Sequence, residues 1–390
     1  MKKIPALISA LALGVGSTLT AADSLVEAMK DGTPTFQLRL RYESVDTDPF
    51  GANAADKTFA LLARTAVGYK TASYKGFSAY VQLEDVSTLA QDDTFATYIL
   101  DREAGDVNMS YLKYDNDSFS LVAGRQTIIH DAARHIGNVG WRMNDQTYDA
   151  ITAKYGVDDL KFSLSYVWQA NRIIATEEDM SSILAHGSYK SSIGLFSAYY
   201  YKLDFESVNA FWNDASDTDT MGLRLNGSKG SFLYTAEYAS QSDGSDNAVS
   251  YDADYLHGML GYKFSGVTLK LGYESLGSDG GTAAFATQLA TVHAYNGWSD
   301  RNLILKPAGS AGLVDQYVAL GGKVGGVKLL GTYRTLETDF GGTDLGKETN
   351  LLAVYKTKPG VVLGAKFAMY ESETTNNDTE KAWIWSEYKL

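Results

Sequence analysis

Phe36-Gln37-Leu38-Arg39-Leu40-Arg41-Tyr42-Glu43 alternates apolar and polar side chains without interruption. In an extended strand, successive side chains point to opposite faces, so this octet is a strand with one apolar and one charged face. The pattern returns at Phe59, Leu61, Ala63, Thr65, Val67 and Tyr69, interleaved with Arg64, Gly68 and Lys70. Further out it recurs near 76–87, 106–116, 118–126, 146–156, 159–171, 181–191, 194–204, 217–229, 231–242, 253–265, 267–276, 316–325, 327–337, 347–358, 361–371 and 378–390. The total is about eighteen, an even number such as a single-chain bacterial barrel requires.

The connections alternate too. Short ones, rich in Gly, Asn, Asp, Ser and Pro, fall at 73–76, 116–118, 156–159, 190–194, 229–231, 265–267, 325–327 and 357–361. Long ones take the other places, at 46–57, 88–105, 127–145, 172–180, 205–216, 243–252, 277–315, 338–346 and 372–377. The two ends of the strands therefore face different surroundings. The expected fold is all-β: a transmembrane antiparallel β-barrel with short periplasmic turns and long extracellular loops. A closed barrel has no free edge, so a single domain over 34–390 suffices.

The N-terminus fits an exported chain. Lys2 and Lys3 precede an apolar run from Ile4 to Leu19, and Thr20-Ala21-Ala22 offers small residues for cleavage, so 1–22 reads as a signal peptide. Residues 23–33 form a short periplasmic segment in which Ser24 and Glu27 make a capping-box pattern before Gly32. That segment is expected to line or plug the periplasmic mouth, or to fray. The final strand stops on an aromatic-rich run ending at Leu390, which resembles the signal read by outer-membrane assembly machinery. Cell outer membrane is the expected location, with membrane lipid and lipopolysaccharide as neighbours.

Composition excludes several functions. With no cysteine, thiolate nucleophiles and zinc-thiolate sites are ruled out. A net charge of -13 argues against nucleic acid as partner. The mean hydropathy of -0.19 suits a barrel, which needs only every second strand residue to be apolar. The histidines fall in no nucleophile-elbow or metalloprotease pattern, so no enzyme activity, cofactor or metal is expected. His130 and His135 stand five apart, a poor metal spacing.

Charge is unevenly placed. The polar phase of the strands directs Arg39, Arg41, Arg64, Arg224, Lys270 and Arg334 into the lumen, with Lys263 and Lys366, against few acids such as Glu84, Glu237 and Glu274. A basic lumen follows. The acids concentrate in loops, among them Asp46, Asp101, Glu177, Glu178, Asp179 and Asp217, where they either solvate the surface or hold divalent cations against lipopolysaccharide. The loop 127–145 differs from the others in being basic and apolar. Its Ile128, Ile129, Ile136, Val139 and Trp141 need something to bury against. Folded into the lumen, it would set Arg125, His130, Arg134 and Arg142 at a constriction; packed on the rim, it would not. The loop 277–315, with Phe285, Leu289, Tyr295 and Trp298, is expected to cover the extracellular mouth as a lid.

Two motifs carry a family resemblance. Gly124-Arg125-Gln126, followed by Gly137-Asn138-Val139-Gly140-Trp141-Arg142 with Asn144, Gln146, Thr147 and Asp149, resembles the alginate-export family of outer-membrane barrels and its porin-like relatives. So does Phe285 through Asp300, followed by Gly312-Leu313-Val314-Asp315. The resemblance implies an eighteen-stranded barrel with an arginine-lined, anion-selective passage. The function expected is a passive, anion-preferring porin for small hydrophilic, acidic or sugar solutes. An alginate-like polysaccharide export channel, and a surface-binding barrel acting as adhesin or receptor, are the alternatives.

Overall fold

The computed structural model describes residues 22–47, 57–206, 217–244, 249–301, 309–358, 360–374 and 378–390. The stretch 1–22 expected to be a signal peptide lies outside them except for Ala22, as do parts of several extracellular loops. Eighteen strands follow in chain order: β1 (Thr33–Thr47), β2 (Lys57–Lys70), β3 (Phe77–Gln91), β4 (Ala104–Asp115), β5 (Phe119–Gln126), β6 (Thr147–Val157), β7 (Leu160–Asn171), β8 (Glu177–Ser191), β9 (Gly194–Leu203), β10 (Thr218–Lys229), β11 (Phe232–Asp243), β12 (Asp252–Phe264), β13 (Val267–Leu276), β14 (Leu313–Val324), β15 (Val327–Glu337), β16 (Asp344–Lys356), β17 (Val362–Ser372) and β18 (Thr379–Lys389). Each pairs antiparallel with its chain neighbour, and β18 pairs with β1 from Gln37↔Lys389 to Thr47↔Thr379, closing the barrel. Closure satisfies every ladder and leaves no edge, as hydrocarbon surroundings require. A six-residue helix, α1 (Leu25–Lys30), precedes β1.

The alternation sorts the two faces. In β1, Leu38, Leu40 and Tyr42 point outward and stay exposed, whereas Arg39, Arg41 and Glu43 point inward and are buried. Outward aromatic residues form a girdle beside the periplasmic turns, from Tyr69, Phe77, Tyr155 and Phe162 to Phe232, Tyr262, Phe264 and Tyr355. A second group, Tyr166, Trp168, Tyr200, Tyr238 and Tyr333, lies toward the extracellular ends. Aliphatic residues such as Leu164, Leu223, Leu260 and Leu351 fill the band between. Amphipathic rings at both water interfaces with apolar side chains between them define the lipid belt. Just above it, Tyr200 and Tyr238 donate to Asp219 (2.6 Å) and Asp254 (2.8 Å), so acid begins where the belt ends.

The third extracellular loop, between β5 and β6, and the seventh, between β13 and β14, both turn into the lumen. Together they bury Ile128, Ile136, Phe285 and Leu289 against the inward Tyr199, Tyr201 and Tyr255. The seventh loop is therefore not a lid over the mouth. Its apolar residues have a partner inside the barrel that an external position would not supply.

Candidate channel interior

The two inward loops hold each other before they hold the wall. Ile136 pairs with Leu289 in a short parallel bridge. The Gly137 amide donates to Leu289 O (2.9 Å) and the Thr291 amide to Ala133 O (2.9 Å). The Thr291 hydroxyl accepts from the Val139 amide at 3.0 Å. Asp131, Ala133, Val139, Asn296 and Asp300 all adopt positive φ, between 48° and 60°. Such backbone costs about 1–3 kcal/mol per non-glycine residue and persists only where surrounding contacts over-determine it.

Ion pairs supply those contacts. Arg134 Nε donates to Glu274 (2.6 Å) on β13, whose carboxylate also accepts from Tyr255 Oη (2.7 Å) and Asn296 Nδ2 (2.7 Å). Arg142 donates to Asp300 at 2.5 Å and lies 3.7 Å from Asp101. Arg41 pairs with Asp101, donates to Trp141 O (2.5 Å) and lies 3.8 Å from Glu43. Lys381 stands 3.3 Å from Asp300 and 4.0 Å from Glu43. Arg41, Arg142 and Lys381 thus face Glu43, Asp101 and Asp300, three cations to three carboxylates, all buried. Buried charges survive only when matched in this way.

A second anchor is aromatic. The Lys366 ammonium on β17 lies 4.1 Å, 3.8 Å and 5.6 Å from the ring centres of Trp141, Trp298 and Trp383. Trp141 comes from the third loop, Trp298 from the seventh and Trp383 from β18, so one cation ties both loops to the wall. Lys366 Nζ is also 2.7 Å from His293 Nε2, and His293 Nδ1 is 2.6 Å from Asp300. Burial holds the His293 ring well below the ordinary histidine range. A neutral ring that accepts at Nε2 and donates at Nδ1 fits both partners.

His130 stacks on His186 at 4.7 Å and contacts Tyr201 Oη at 3.1 Å. Its pKa is pushed down to about 3 by burial, with the neighbouring His186 adding to the effect. His186 in turn meets Asp131 at 2.9 Å, and the Ser197 hydroxyl donates to the other oxygen of that carboxylate at 2.6 Å. These contacts fasten the loop to β8 and β9.

The basic residues expected in the lumen divide into two classes. Arg39, Arg41, Arg64, Arg224 and Arg334 all point inward, but each is neutralised: Arg39 by Glu387 (3.0 Å), Arg64 by Glu84 (2.7 Å) and Asp145 (2.6 Å), Arg224 by Glu237 (3.1 Å), and Arg334 by Asp315. Asp101 and Glu178, expected in solvated loops, are buried counterions of Arg41 and Arg172. The expected excess of arginine charge is therefore absent from this girdle. Arg125 needs a second correction. It lies on β5, one residue from the inward Gln126, so alternation turns it outward to meet Asp149 (2.7 Å) and Gln169 (3.3 Å). It does not face the lumen, whereas His130, Arg134 and Arg142 lie within it on the third loop.

Lys270 belongs to the other class. It faces inward on β13 near the periplasmic turns, with Lys154, Lys161, Lys263, Lys323 and Lys328 at similar height on β6, β7, β12, β14 and β15. Lys270 pairs in register with Gly261, and Lys323 with Lys328, fixing the shared face. Lys70, Lys190 and Lys356 take the same inward phase beside the turns on β2, β8 and β16, and none of these nine ammonium groups makes an ion pair or hydrogen bond among the described residues. Lys154, Lys161, Lys263 and Lys323 are exposed inside the barrel. Sequence reading reached only Lys70, Lys263 and Lys270 of this group. The others sit within a few residues of turns, where a one-residue uncertainty in strand phase reverses the face.

The sequence of residues 33–274 matches the family model described as alginate export. The chain belongs to the alginate export family. The second motif of this alginate export family barrel, from Phe285 to Asp300, lies beyond the matched stretch. No curated protein sequence matches the chain. Solved structures share its fold. The BenF-like porin from Pseudomonas fluorescens Pf-5 is 13% identical with a TM-score of 0.71, covering 93% of this chain and 99% of its own. OccAB2 of Acinetobacter baumannii (14%, TM-score 0.69) and OccK5 (OpdH) of Pseudomonas aeruginosa (13%, TM-score 0.68) cover the same shares. This family member is accordingly a porin-like barrel of the Gram-negative outer membrane.

Proposed function

We propose that this barrel is a passive diffusion channel that prefers anions, with small acidic sugars as its substrate class. The carrying observation is the set of nine inward lysines without a side-chain partner among the described residues at the periplasmic end of the lumen, Lys70, Lys154, Lys161, Lys190, Lys263, Lys270, Lys323, Lys328 and Lys356, set against the wall arginines Arg39, Arg41, Arg64, Arg224 and Arg334, each matched by a carboxylate. A lysine about 10 Å from a passing ion contributes about 0.4 kcal/mol in water. Screening at 0.1 M salt reduces this to about 0.15 kcal/mol, so nine together give about 1.4 kcal/mol. An anion gains that amount and a cation loses it, favouring the anion by about a hundredfold, an effect that nearly vanishes at 1 M salt. The two inward loops narrow the route, which suits solutes of monosaccharide size better than a polysaccharide strand.

Proteoliposome swelling tests this function with glucuronate, glucose and glucosamine, three solutes of nearly equal size. Glucuronate is expected to enter fastest and glucosamine slowest. Equal rates would remove the charge preference, and no swelling with any of the three would remove the channel.

A further inference from the structure

The helix α1 leaves three large apolar side chains without a partner: Leu25, Val26 and Met29 are each 60% exposed or more. At 100° per residue they occupy a single stripe about a quarter-turn wide, with Lys30 at its border and Glu27 beyond it. Ala28, on the far side, is buried at 2% exposure against the β2–β3 turn, where the Ala72 amide donates to Ala28 O (2.9 Å). The Ala22 amide donates to Ser73 O on the same turn. Ser24 caps the helix by accepting from the Glu27 amide, and Glu27 returns by accepting from the Asp23 amide (3.0 Å). The helix is therefore formed and docked, yet its apolar stripe covers nothing.

Its place on the barrel decides what covers the stripe. Tyr69 is an outward residue of β2 and a member of the periplasmic aromatic girdle, and its hydroxyl donates to Met29 O at 2.6 Å. Gly32 lies directly against the same ring, where a Cβ would collide with it. The chain thus leaves β1 on the lipid side of the wall, and the stripe continues the girdle outward from Tyr69. We propose that α1 is an interfacial anchor, its Leu25, Val26 and Met29 inserted into the periplasmic phospholipid leaflet with Lys30 at the headgroups. A short helix with one apolar stripe and a cationic border is the form that lies in a membrane interface. The mouth-lining or plugging role expected from the sequence would put the stripe on the other side of the wall.

The absence of native cysteine makes the test clean. Leu25→Cys, Met29→Cys and Glu27→Cys, with Asp158→Cys in another periplasmic turn as the water reference, are spin-labelled one at a time. The full chain is reconstituted in phosphatidylethanolamine and phosphatidylglycerol bilayers, with folding checked by heat-modifiable migration. Labels at 25 and 29 are expected about 5–10 Å below the phosphates, open to oxygen and shielded from an aqueous nickel complex. Labels at 27 and 158 are expected to meet nickel freely. Nickel access at 25 and 29 equal to that at 158 would overturn the anchor, as would shielding from both reagents, which marks cover by protein from the lumen or a second copy. A chain carrying Leu25→Asp, Val26→Asp and Met29→Asp together is expected to keep its single-channel conductance. A changed conductance would place the helix at the mouth and overturn the proposal independently.

Discussion

Replacing Glu274 by Ala removes the carboxylate on which the third loop turns. In the folded protein it accepts from Arg134 Nε at 2.6 Å, Tyr255 Oη at 2.7 Å and Asn296 Nδ2 at 2.7 Å, and both members of the ion pair are 4% exposed. Deleting one partner of a buried pair costs about 3–5 kcal/mol, because the remaining charge stays buried without compensation. The penalty falls on loop docking and not on the barrel, whose strand ladder is untouched. At about 1.4 kcal/mol per tenfold, a loss of 4 kcal/mol raises the undocked fraction of the loop about a thousandfold. Hydrogen exchange of peptides from 127–146 measures this fraction, with strand peptides as internal reference. Glu274→Ala is expected to accelerate exchange across that loop by two to three orders of magnitude, roughly, and to leave β5 and β6 protected. Arg134→Met combined with Glu274→Leu removes both charges and is expected to recover at least half the loss, since no orphan ion remains. Unchanged loop exchange in Glu274→Ala would refute the docking argument. A double variant as labile as the single one would refute the assignment of the cost to an orphan charge.

Replacing Arg39, Arg64 and Arg334 by Ala removes three positive charges from beside Glu387, Glu84, Asp145 and Asp315, so the zero-current potential is expected to move toward cation preference by an amount matching three lost cations; a null shift would mean those carboxylates are not felt by the ion. Deleting residues 284–301 removes the partner of the third loop and is expected to raise single-channel conductance, and an unchanged value would place that segment away from the ion path. Lys366→Met leaves the three tryptophans without their cation and is expected to raise open-channel noise, while noise at the wild-type level would deny the cage an anchoring role. His130 binds its proton only near pH 3 when docked, but near 6.5 when released. Docking is therefore at full strength above about pH 6.5 and weakens as pH falls toward 3, so noise is expected to grow on acidification from pH 7.5 to 4.5. The same slope in His130→Gln would assign the effect to another group.

The barrel was legible because lipid imposes a period of two on every strand and a length asymmetry on every pair of connections. The octet from Phe36 to Glu43 already carries both faces, and the Leu38, Leu40 and Tyr42 phase is the one found. The inward turn of the third loop was legible as well, since Ile128, Ile136 and Val139 had no reason to meet water. Its counterions were not. Glu43 obeys strand phase and marks the inner wall, but Asp101 and Asp300 reach the lumen from loops far apart in sequence, where no periodicity applies. Arg125 was misassigned because a conspicuous motif drew it into the loop, although Gln126 beside it already fixed the opposite face. The lysines near the turns escaped for a related reason: phase is least certain where strands end.

A planar bilayer holding the purified protein under a tenfold gradient of potassium chloride, centred near 0.1 M, gives the sign of selectivity in one reading. The unpaired inward lysines require a zero-current potential of the sign set by chloride, shrinking toward zero when Lys70, Lys154, Lys161, Lys190, Lys263, Lys270, Lys323, Lys328 and Lys356 are replaced by Gln and when the salt is raised to 1 M. A potential of the sign set by potassium, or a chloride potential that survives loss of all nine lysines, would contradict the proposed origin of the preference.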